Sequence, residues 1–231
     1  MANPANDIDL SYERHYAERA NAKVYPTEFV VRTFMAKYPD LNFRKPLPGD
    51  KILDVGFGDG RNTAFLCETG LAVSGIEITQ GIVDQTRTRL SNLGLDADLR
   101  VGRNSAIPFE DAAFDYILAC HSCYYCDEGQ NLLDNLNEYS RILKKDGFVV
   151  ASVANRASYI FDGATALPDG SLVVQNDPYN NRNGYRLHGF SAAADIEQYF
   201  SPLFKNFSFG SANNSYYGIS EQVFWVVCQK R

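Results

Sequence analysis

Short apolar runs alternate along most of this chain with segments whose apolar residues recur at helical spacing. The predicted strands are 51–55, 71–76, 98–102, 114–119 and 148–153, and the predicted helices between them are 60–69, 80–91 and 130–143. Buried strands that alternate with amphipathic helices are typical of a doubly wound α/β sheet with right-handed crossovers. The pattern therefore predicts parallel strands covered by helices.

Two regions depart from this alternation. Before the first strand, helices are predicted over 11–20, with Ser11 as the cap, and from Pro26 to Tyr38; we expect them to cover the sheet as a lid. The segment 155–189 is rich in Gly, Asn, Asp and Tyr and contains Pro-Asp-Gly and Asn-Gly turn signals. A loop of this length without structure is uncommon in a compact domain, so a small insertion with a hairpin is expected.

The end of the chain predicts a hairpin. A helix capped by Ser191 is predicted to end near Phe200, and strands 205–210 and 222–228 follow with no helical pattern between them. The fold class is therefore α/β, with a mostly parallel seven-stranded sheet and a C-terminal antiparallel hairpin. We expect one domain over 1–231, with cover helices in 1–50, a core in 51–154 and 191–231, and a cap over the substrate side in 155–190.

Composition and charge narrow the functional classes. The 231 residues are 45% hydrophobic and 22% charged, which is ordinary for a globular protein. A net charge of −6 argues against a nucleic-acid-binding protein, because such proteins usually present a basic face. We expect no membrane association, since there is no secretory signal pattern and no apolar run near the roughly 20 residues of a spanning helix. Five cysteines without disulfide spacing favour the cytoplasm.

The stretch KILDVGFGDGRN, from Lys51 to Asn62, is the strongest candidate for a ligand site. A strand there enters a glycine-rich turn and then a helix. Gly56 and Gly58 can adopt positive φ angles and let the backbone approach a ligand closely. A helix that begins near Gly60 would direct its unpaired N–H groups at the same place. The pattern predicts the site of a nucleotide-like cofactor.

Four motifs, in order, resemble those of the class I S-adenosylmethionine-dependent methyltransferases of the small-molecule type. They are DVGFGDG at 54–60, the acid Glu77 after the second strand, AIPFEDAAFD at 106–115 and RILKKDG at 141–147. The closing hairpin is also typical of that family, and the resemblance covers roughly 50–153 and 191–231. It implies S-adenosylmethionine as cofactor and methyl transfer as the activity.

The resemblance also implies a set of cofactor contacts. Glu77 would bind the ribose hydroxyls, and Cys120 would line the methionine end of the cofactor. Where the family often has Gly-Asp-Ala, this chain has Gly-Arg-Asn-Ser at 102–105. Arg103 cannot accept a hydrogen bond from the adenine amino group, so Asn104, Ser105 or the backbone would do so. The expected contacts are Asp54, Gly56, Phe57, Gly58, Gly60, Asn62, Glu77, Ile78, Asn104, Ser105, Cys120 and Tyr25.

The run CHSCYYC over 120–126 leaves the carboxyl end of a predicted strand, where ligands bind in open α/β sheets. The resemblance implies that His121 faces the methyl acceptor. With an ordinary pKa of about 6.5, a histidine there could take a proton from a hydroxyl or amine, so His121 is a candidate base and Tyr124 a second catalytic candidate. The alternative is that His121 only packs or bonds to a loop carbonyl.

The three cysteines of this run also admit a metal or iron–sulfur site, with His121, Cys67 or Cys228 as a fourth ligand. Small cysteines after a buried strand are common packing residues, so we expect no metal. Arginine forks and aromatic faces in the insertion suit a carboxylate, phosphate or sugar. The expected acceptor-binding residues are Tyr125, Arg156, Arg186 and His188, and further candidates are Arg182, Tyr159, Tyr179 and Tyr185, with Tyr12, Arg14 and Tyr16 in the cover.

The leading hypothesis is methyl transfer from S-adenosylmethionine to an oxygen or nitrogen of a small metabolite. Two other classes stay open at this point. A nicotinamide oxidoreductase also has an acid about 20 residues after its glycines, although its third glycine position is Arg61 here. A cofactor-binding protein without catalysis, or a cysteine-based metal protein, is the other class. The sequence does not indicate the acceptor or the oligomeric state.

Overall fold

A computed structural model describes residues 8–231. The sequence-based expectation about a secretory signal rests on the first residues, and residues 1–7 lie outside the described residues. Within the described chain, no helix has the length and apolar content needed to cross a membrane.

The helices and strands largely follow the predicted order. The helices are α1 (Asp9–Ala17), α2 (Glu28–Met35), α3 (Arg61–Glu68), α4 (Gln80–Asn92), α5 (Leu132–Ile142) and α6 (Ala193–Phe200). The strands are β1 (Lys51–Val55), β2 (Ala72–Glu77), β3 (Asp98–Val101), β4 (Phe114–Cys120), β5 (Leu143–Ala154), β6 (Thr165–Ala166), β7 (Leu172–Val173), β8 (Arg186–Leu187), β9 (Phe204–Tyr216) and β10 (Ile219–Lys230).

The main sheet has seven strands in the order β3-β2-β1-β4-β5-β10-β9. The first five strands in this order are parallel, and β10 is antiparallel to both β5 and β9. The predicted fold class is confirmed. The strand order reverses between β1 and β4, and in open α/β sheets a crevice for ligands forms at such a point, beyond the carboxyl ends of the strands.

The closing hairpin is longer than predicted. The ladder between β9 and β10 continues through polar residues as far as the pair Tyr216–Ile219. The strands are joined by Tyr217 and Gly218, with φ angles of 49° and 86°, the combination that a tight hairpin turn requires. The predicted strands end where the alternation of apolar residues ends. Backbone pairing in a two-stranded hairpin does not require apolar side chains and continues beyond that point.

Two predicted helix caps are wrong. The first helix begins two residues earlier than Ser11, after Ile8, and the Ser11 hydroxyl donates to the carbonyls of Ile8 (2.6 Å) and Asn181 (2.9 Å). At α6, the Asp195 carboxylate accepts the backbone N–H groups of Ser191 and Ala192. By contrast, the predicted cap of α4 is confirmed, since Thr79 accepts from Ile82 N.

Buried apolar side chains cover both faces of the sheet. On one face, β1, β4 and β5 pack with α5, α6 and part of the insertion in the largest cluster of buried residues. On the other face, residues of the same strands pack with α2 and α3. Burial on both faces explains why these strands appear in the sequence as continuous apolar runs.

The insertion forms a three-stranded antiparallel sheet, in the order β6-β7-β8, preceded by a short 3-10 helix at Tyr159–Phe161. The first Pro-Asp-Gly signal lies between β6 and β7, and the Asn-Gly signal immediately precedes β8. The insertion is tied to the core by a bridge between Tyr125 and Leu187 and by the backbone bond from His188 N to Tyr124 O. It therefore lies beside the loop that follows β4.

Candidate active site

A cavity of about 370 Å³ lies at the carboxyl ends of β1, β2 and β4, at the point where the strand order reverses. Its volume falls in the range of small-molecule and cofactor sites. One part is bordered by the glycine-rich turn after β1, and another by the loop after β4. Residues of α1 and of the insertion line it as well. We call this space the central cavity.

The turn after β1 requires glycine for two reasons. The φ angles of Gly56 and Gly58 are 69° and 56°, in the left-handed region that side chains disfavour. A Cβ added to Gly56 would lie 2.8 Å from the Cβ of Ser122, and one added to Gly58 would lie 2.5 Å from the Tyr16 hydroxyl. The turn is therefore packed against the loop after β4 and against α1, with its backbone facing the cavity.

A buried carboxylate stands at the end of β2, on the wall of the cavity. The Oε1 atom of Glu77 accepts Gly58 N at 3.0 Å, and Oε2 accepts Ile78 N at 2.8 Å. Burial raises the pKa of Glu77 to about 7, and the two backbone N–H groups oppose this. Each oxygen keeps further lone pairs. The arrangement suits a ligand that donates hydroxyl groups.

Asp54 is placed differently from the sequence expectation. Only 1% of the residue is exposed, it does not line the central cavity within the described chain, and its Oδ2 accepts the Thr63 hydroxyl at 2.8 Å. Burial raises its pKa to about 7, with Thr63 lowering it and Glu77 and Asp59 raising it. It holds the turn to α3 and has no contact surface for a cofactor.

This buried carboxyl gives a prediction about stability. The pKa of Asp54 is higher in the folded chain than its ordinary value of 3.8, so the folded state retains its proton more strongly. Below about pH 4, Asp54 is protonated in both the folded and the unfolded chain and does not affect stability. Between about pH 4 and 7 only the unfolded chain loses this proton, so the fold becomes less stable as the pH rises. Each pKa unit corresponds to about 1.4 kcal/mol. As the pH rises from 4 to 7, the free energy of unfolding of Asp54→Asn should therefore increase by a few kcal/mol relative to that of wild type. Urea unfolding across that range checks this, and parallel pH profiles for the two proteins would contradict it.

Three other expected cofactor contacts also lie away from the central cavity. Gly60 caps α3 with φ 76°, and a Cβ there would meet Thr86. Ser105 donates to Asp127 at 3.1 Å. Tyr25, 65% exposed, borders a separate cavity between α3 and α4. These three residues, like Asp54, do not line the central cavity. The expected contacts that the cavity does bring together are Gly56, Phe57, Gly58, Asn62, Glu77, Ile78, Asn104 and Cys120.

Arg103, the residue that departs from the family pattern, holds the cover helix in place. Its Nη2 is paired with Asp9 in α1, and its Nη1 with Asp127 at 2.6 Å. The neighbouring Asn104 donates to the carbonyls of Ser122 and Tyr125 and accepts the Tyr139 hydroxyl. The substitution of Arg for Asp at this position is thus matched by two carboxylates elsewhere in the chain.

His121 lies between the glycine turn and the insertion and borders the cavity. Its φ angle is 56°, a strained value for a residue with a side chain, and such strain is found preferentially at functional sites. Its backbone N–H donates to Ser152 Oγ at 2.9 Å, which fixes the bend after β4. Burial lowers the pKa of His121, Glu221 opposes this, and Arg182 adds to it. The imidazole is therefore neutral at neutral pH and can accept a proton.

Tyr124 also lines the cavity, where its phenol can act as a proton or hydrogen-bond donor but not as a base. Burial raises its pKa well above the ordinary value of 10.0, so the phenol keeps its proton and can donate a hydrogen bond. The thiols of the same loop do not form a cluster: within the described residues, no group of three or more His, Cys, Asp or Glu is placed to hold a metal ion. Burial raises the pKa of Cys120 and of Cys126 to about 11, so both thiols are protonated at neutral pH.

Only one of the four expected acceptor contacts, Tyr125, lines the cavity. Arg156 donates to the carbonyls of Gly189 and Gly170, and Arg186 pairs with Asp169. His188 packs on Phe190 and Tyr199. All three side chains contact the insertion or its attachment to the core and do not line the central cavity.

The remaining wall of the cavity includes Tyr12, Tyr16, Ser158, Tyr159, Asn181, Arg182, Tyr185, Glu221 and Val223. The four tyrosines and Arg182 were further candidates in the sequence, whereas Ser158, Asn181, Glu221 and Val223 were not. Aromatic and arginine content had drawn attention to several of them, but no periodicity separated those facing inward from those facing solvent. Glu221, at the start of β10, carried no sequence signal at all.

The residues present fit S-adenosylmethionine. The turn at Gly56 and Gly58 leaves its backbone open to the cavity, and a buried carboxylate, Glu77, offers acceptor oxygens to a ribose. The position of a third dinucleotide-type glycine is occupied by Arg61, whose guanidinium is bound to Asp59 at 2.8 and 2.5 Å.

Comparison with known proteins agrees with this fit. A family model described as a methyltransferase domain matches residues 53–151. The chain is 25% identical over 181 residues to the ubiquinone biosynthesis O-methyltransferase of Maricaulis maris, an alignment that covers 74% of this chain and 70% of that protein. It is 42% identical over 71 residues to the protein-L-isoaspartate O-methyltransferase of Methylorubrum extorquens, of which the match spans about a third (31%).

Solved structures show the same fold. One is a SAM-dependent methyltransferase from Methanosarcina mazei, with a TM-score of 0.64 and 20% identity over 80% of this chain and 94% of that one. Another is the N-methyltransferase NodS of Bradyrhizobium japonicum in complex with S-adenosyl-L-homocysteine, with a TM-score of 0.65 and 12% identity over 97% of this chain and 99% of that one.

Proposed function

We propose a small-molecule acceptor for this chain, which is a class I S-adenosylmethionine-dependent methyltransferase. The observation that carries the proposal is the cover of the central cavity. Side chains of α1 and of the insertion line the cavity on its outer side, and the two elements are joined by the bonds from Ser11 to Asn181 and from Tyr185 to Asp9. An acceptor bound under this cover must be small.

Relatives act on acceptors of different sizes. Two of them are named for quinones: the ubiquinone biosynthesis O-methyltransferase of Maricaulis maris and the demethylmenaquinone methyltransferase of Tropheryma whipplei, to which this chain is 33% identical over 103 residues. Another is named for isoaspartate in proteins. The covered cavity favours the small-molecule alternative for this chain. We propose an oxygen or nitrogen atom as the methyl acceptor.

In the proposed reaction the sulfonium of the bound cofactor supplies an electrophilic methyl group. The chain holds the two reactants in line and excludes water, which can contribute roughly 7–11 kcal/mol to lowering the barrier. The backbone at Gly56 and Gly58, with the carboxylate of Glu77, positions the cofactor. His121, neutral because burial lowers its pKa, accepts the proton that a hydroxyl or amine acceptor loses. Tyr124 donates a hydrogen bond.

Several further expectations belong to this proposal. We treat 51–154 and 191–231 as the catalytic core, 1–50 as its cover and 155–190 as the substrate cap, within one domain. We place the reaction in the cytoplasm, consistent with cysteines that are all free. We propose neither nucleic acid nor a membrane as a partner.

Calorimetry with two cofactors tests the activity class. The purified protein is expected to bind S-adenosylmethionine and S-adenosylhomocysteine with a stoichiometry near one, because the turn and Glu77 fit the shared adenosine. NAD is expected not to bind, since Arg61 stands in the place of the third dinucleotide glycine. Binding of NAD together with no response to S-adenosylmethionine would overturn the proposal in favour of an oxidoreductase.

A further inference from the structure

One edge of a partly buried guanidinium on the wall of the central cavity has no protein partner in the described chain. Arg182 lines the cavity, and its side chain is 23% exposed. Within the described residues, its side-chain bonds come from Nη1 alone, to Tyr159 Oη and to Asp177 Oδ1, both at 3.2 Å. The donors on Nε and Nη2 remain available to a ligand.

The same edge, formed by Nε and Nη2, binds carboxylates in two other arginine pairs of this chain. In the pair of Arg61 with Asp59, Nε and Nη2 each donate to one carboxylate oxygen, at 2.8 and 2.5 Å. The pair of Arg100 with Asp98 repeats the geometry at 3.0 and 2.6 Å. Two parallel bonds to a planar group give both strength and orientation.

The insertion holds Arg182 rigidly. Asp177, buried with 2% exposure, binds its guanidinium at Nη1 and also accepts the backbone N–H groups of Asn181 and Arg182. These bonds fix the guanidinium on its Nη1 side and leave the opposite edge open. A preorganised donor of this kind loses little conformational entropy when a ligand binds.

A second polar group beside the arginine lacks a partner. Asn181 lines the cavity with 5% exposure, and its Oδ1 is buried with no hydrogen-bond partner in the described chain. Such atoms are uncommon, because burying an acceptor without a hydrogen bond destabilises the fold. A hydroxyl or amine on a bound molecule would satisfy it.

Aromatic side chains flank the same space. The rings of Tyr12 and Tyr125 lie 6.3 Å apart, and each lies 5.4 Å from Tyr185. The hydroxyls of Tyr12 and Tyr125 are bonded to each other at 2.5 Å, which leaves ring faces and edges as the surfaces for a ligand. Such faces suit a flat ring.

We propose that the methyl acceptor is a small aromatic or similarly flat molecule that carries a carboxylate, held by the Nε and Nη2 edge of Arg182, and a separate hydroxyl or amine that donates to Asn181 Oδ1. The inference rests on the proposed function and deepens it. The carboxylate anchors the acceptor at the insertion, and the hydroxyl or amine that receives the methyl group points toward His121. Arg182 is therefore a specificity residue.

A matched pair of probes tests the anchor. With S-adenosylhomocysteine saturating, calorimetry compares 3,4-dihydroxybenzoate with 3,4-dihydroxybenzamide, which has the same ring and hydroxyls but no charge. Wild type is expected to bind the carboxylate on the order of 10- to 100-fold more tightly, the usual effect of charge-assisted bonds. Arg182→Gln should lose this preference. Arg186→Gln, on the same insertion but paired with Asp169 outside the cavity, should keep it.

The outcomes separate this inference from the proposed function. If S-adenosylhomocysteine binds but wild type shows no preference, or binds neither probe, or if Arg182→Gln keeps the preference, the carboxylate anchor is overturned while the methyltransferase proposal stands. If S-adenosylhomocysteine itself fails to bind, both fall. If Arg182→Gln does not fold because Asp177 loses its partner, Arg182→Lys is tested instead. Lysine keeps the positive charge but lacks the paired Nε and Nη2 donors. A reduced preference for the carboxylate supports the anchor, and an unchanged preference refutes it.

Discussion

Replacing His121 with asparagine is expected to lower methyl transfer by about 10²- to 10⁴-fold, the usual contribution of a positioned base. Asparagine is the informative choice because it tolerates the left-handed backbone that His121 adopts, with φ 56°, better than most residues. The bend after β4 should therefore survive. The affinity for S-adenosylmethionine is expected to change little, so the loss should appear in turnover at saturating cofactor.

The pH profile provides an independent check on this role. Because burial lowers the pKa of His121 below 6.5, wild-type turnover should fall on the acid side with a midpoint below that value. This limb should be absent from the residual activity of His121→Asn. His188→Gln serves as the control, since that histidine packs on Phe190 and Tyr199 away from the cavity. Normal turnover of His121→Asn would remove the residue from the chemistry.

Replacing Glu77 with alanine is expected to weaken cofactor binding by about 10²- to 10⁴-fold. The carboxylate would make two hydrogen bonds to the ribose, and bonds to charged groups contribute about 1.5–3 kcal/mol each. Calorimetric titration with S-adenosylhomocysteine measures the loss. Since Glu77 also accepts Gly58 N and Ile78 N, the variant should be somewhat less stable, and the thermal midpoint of the free protein is measured alongside.

A modified ligand distinguishes lost ribose contacts from a damaged turn. The 2′,3′-dideoxy analogue of S-adenosylhomocysteine lacks both hydroxyls, so wild type should bind it about as weakly as Glu77→Ala binds the natural ligand. The variant itself should then discriminate little between the two ligands. If Glu77→Ala still prefers the natural ligand as strongly as wild type does, another group recognises the ribose. Asp98→Ala, which removes an exposed carboxylate on β3, is the control for a general effect of charge.

The parts of the site that could be predicted are those whose chemistry is local in sequence. The turn at Gly56 and Gly58 and the carboxylate of Glu77 each follow directly from a strand, and the end of a strand in a parallel sheet defines a position in space. The bend at His121 follows from the same rule. Distant contacts hold these three elements in place, but each element's position at the cavity follows from the strand that precedes it.

The parts that could not be predicted depend on contacts between distant segments. Tyr16 reaches Gly58 while Tyr25 does not, because the pairing of Asp9 with Arg103 sets the position of α1, and no local pattern encodes that pairing. In the insertion, the turns determine which arginine faces inward: Arg182 stands next to the turn at 183–184, and Arg186 lies in β8. The sequence analysis named Arg186 among the expected acceptor contacts and Arg182 only as a further candidate, because composition does not show which of the two faces inward.

The placement of α1 also bears on how the protein exchanges its ligands. The helix is held to the core through Asp9 and Arg103 and to the insertion through Ser11 and Asn181, so a single element covers both the cofactor and the acceptor sides. We expect its detachment to govern the residence time of the spent cofactor and the admission of the next acceptor together. We expect the opening of such a cover to limit repeated turnover, as lid opening or product release does in many enzymes.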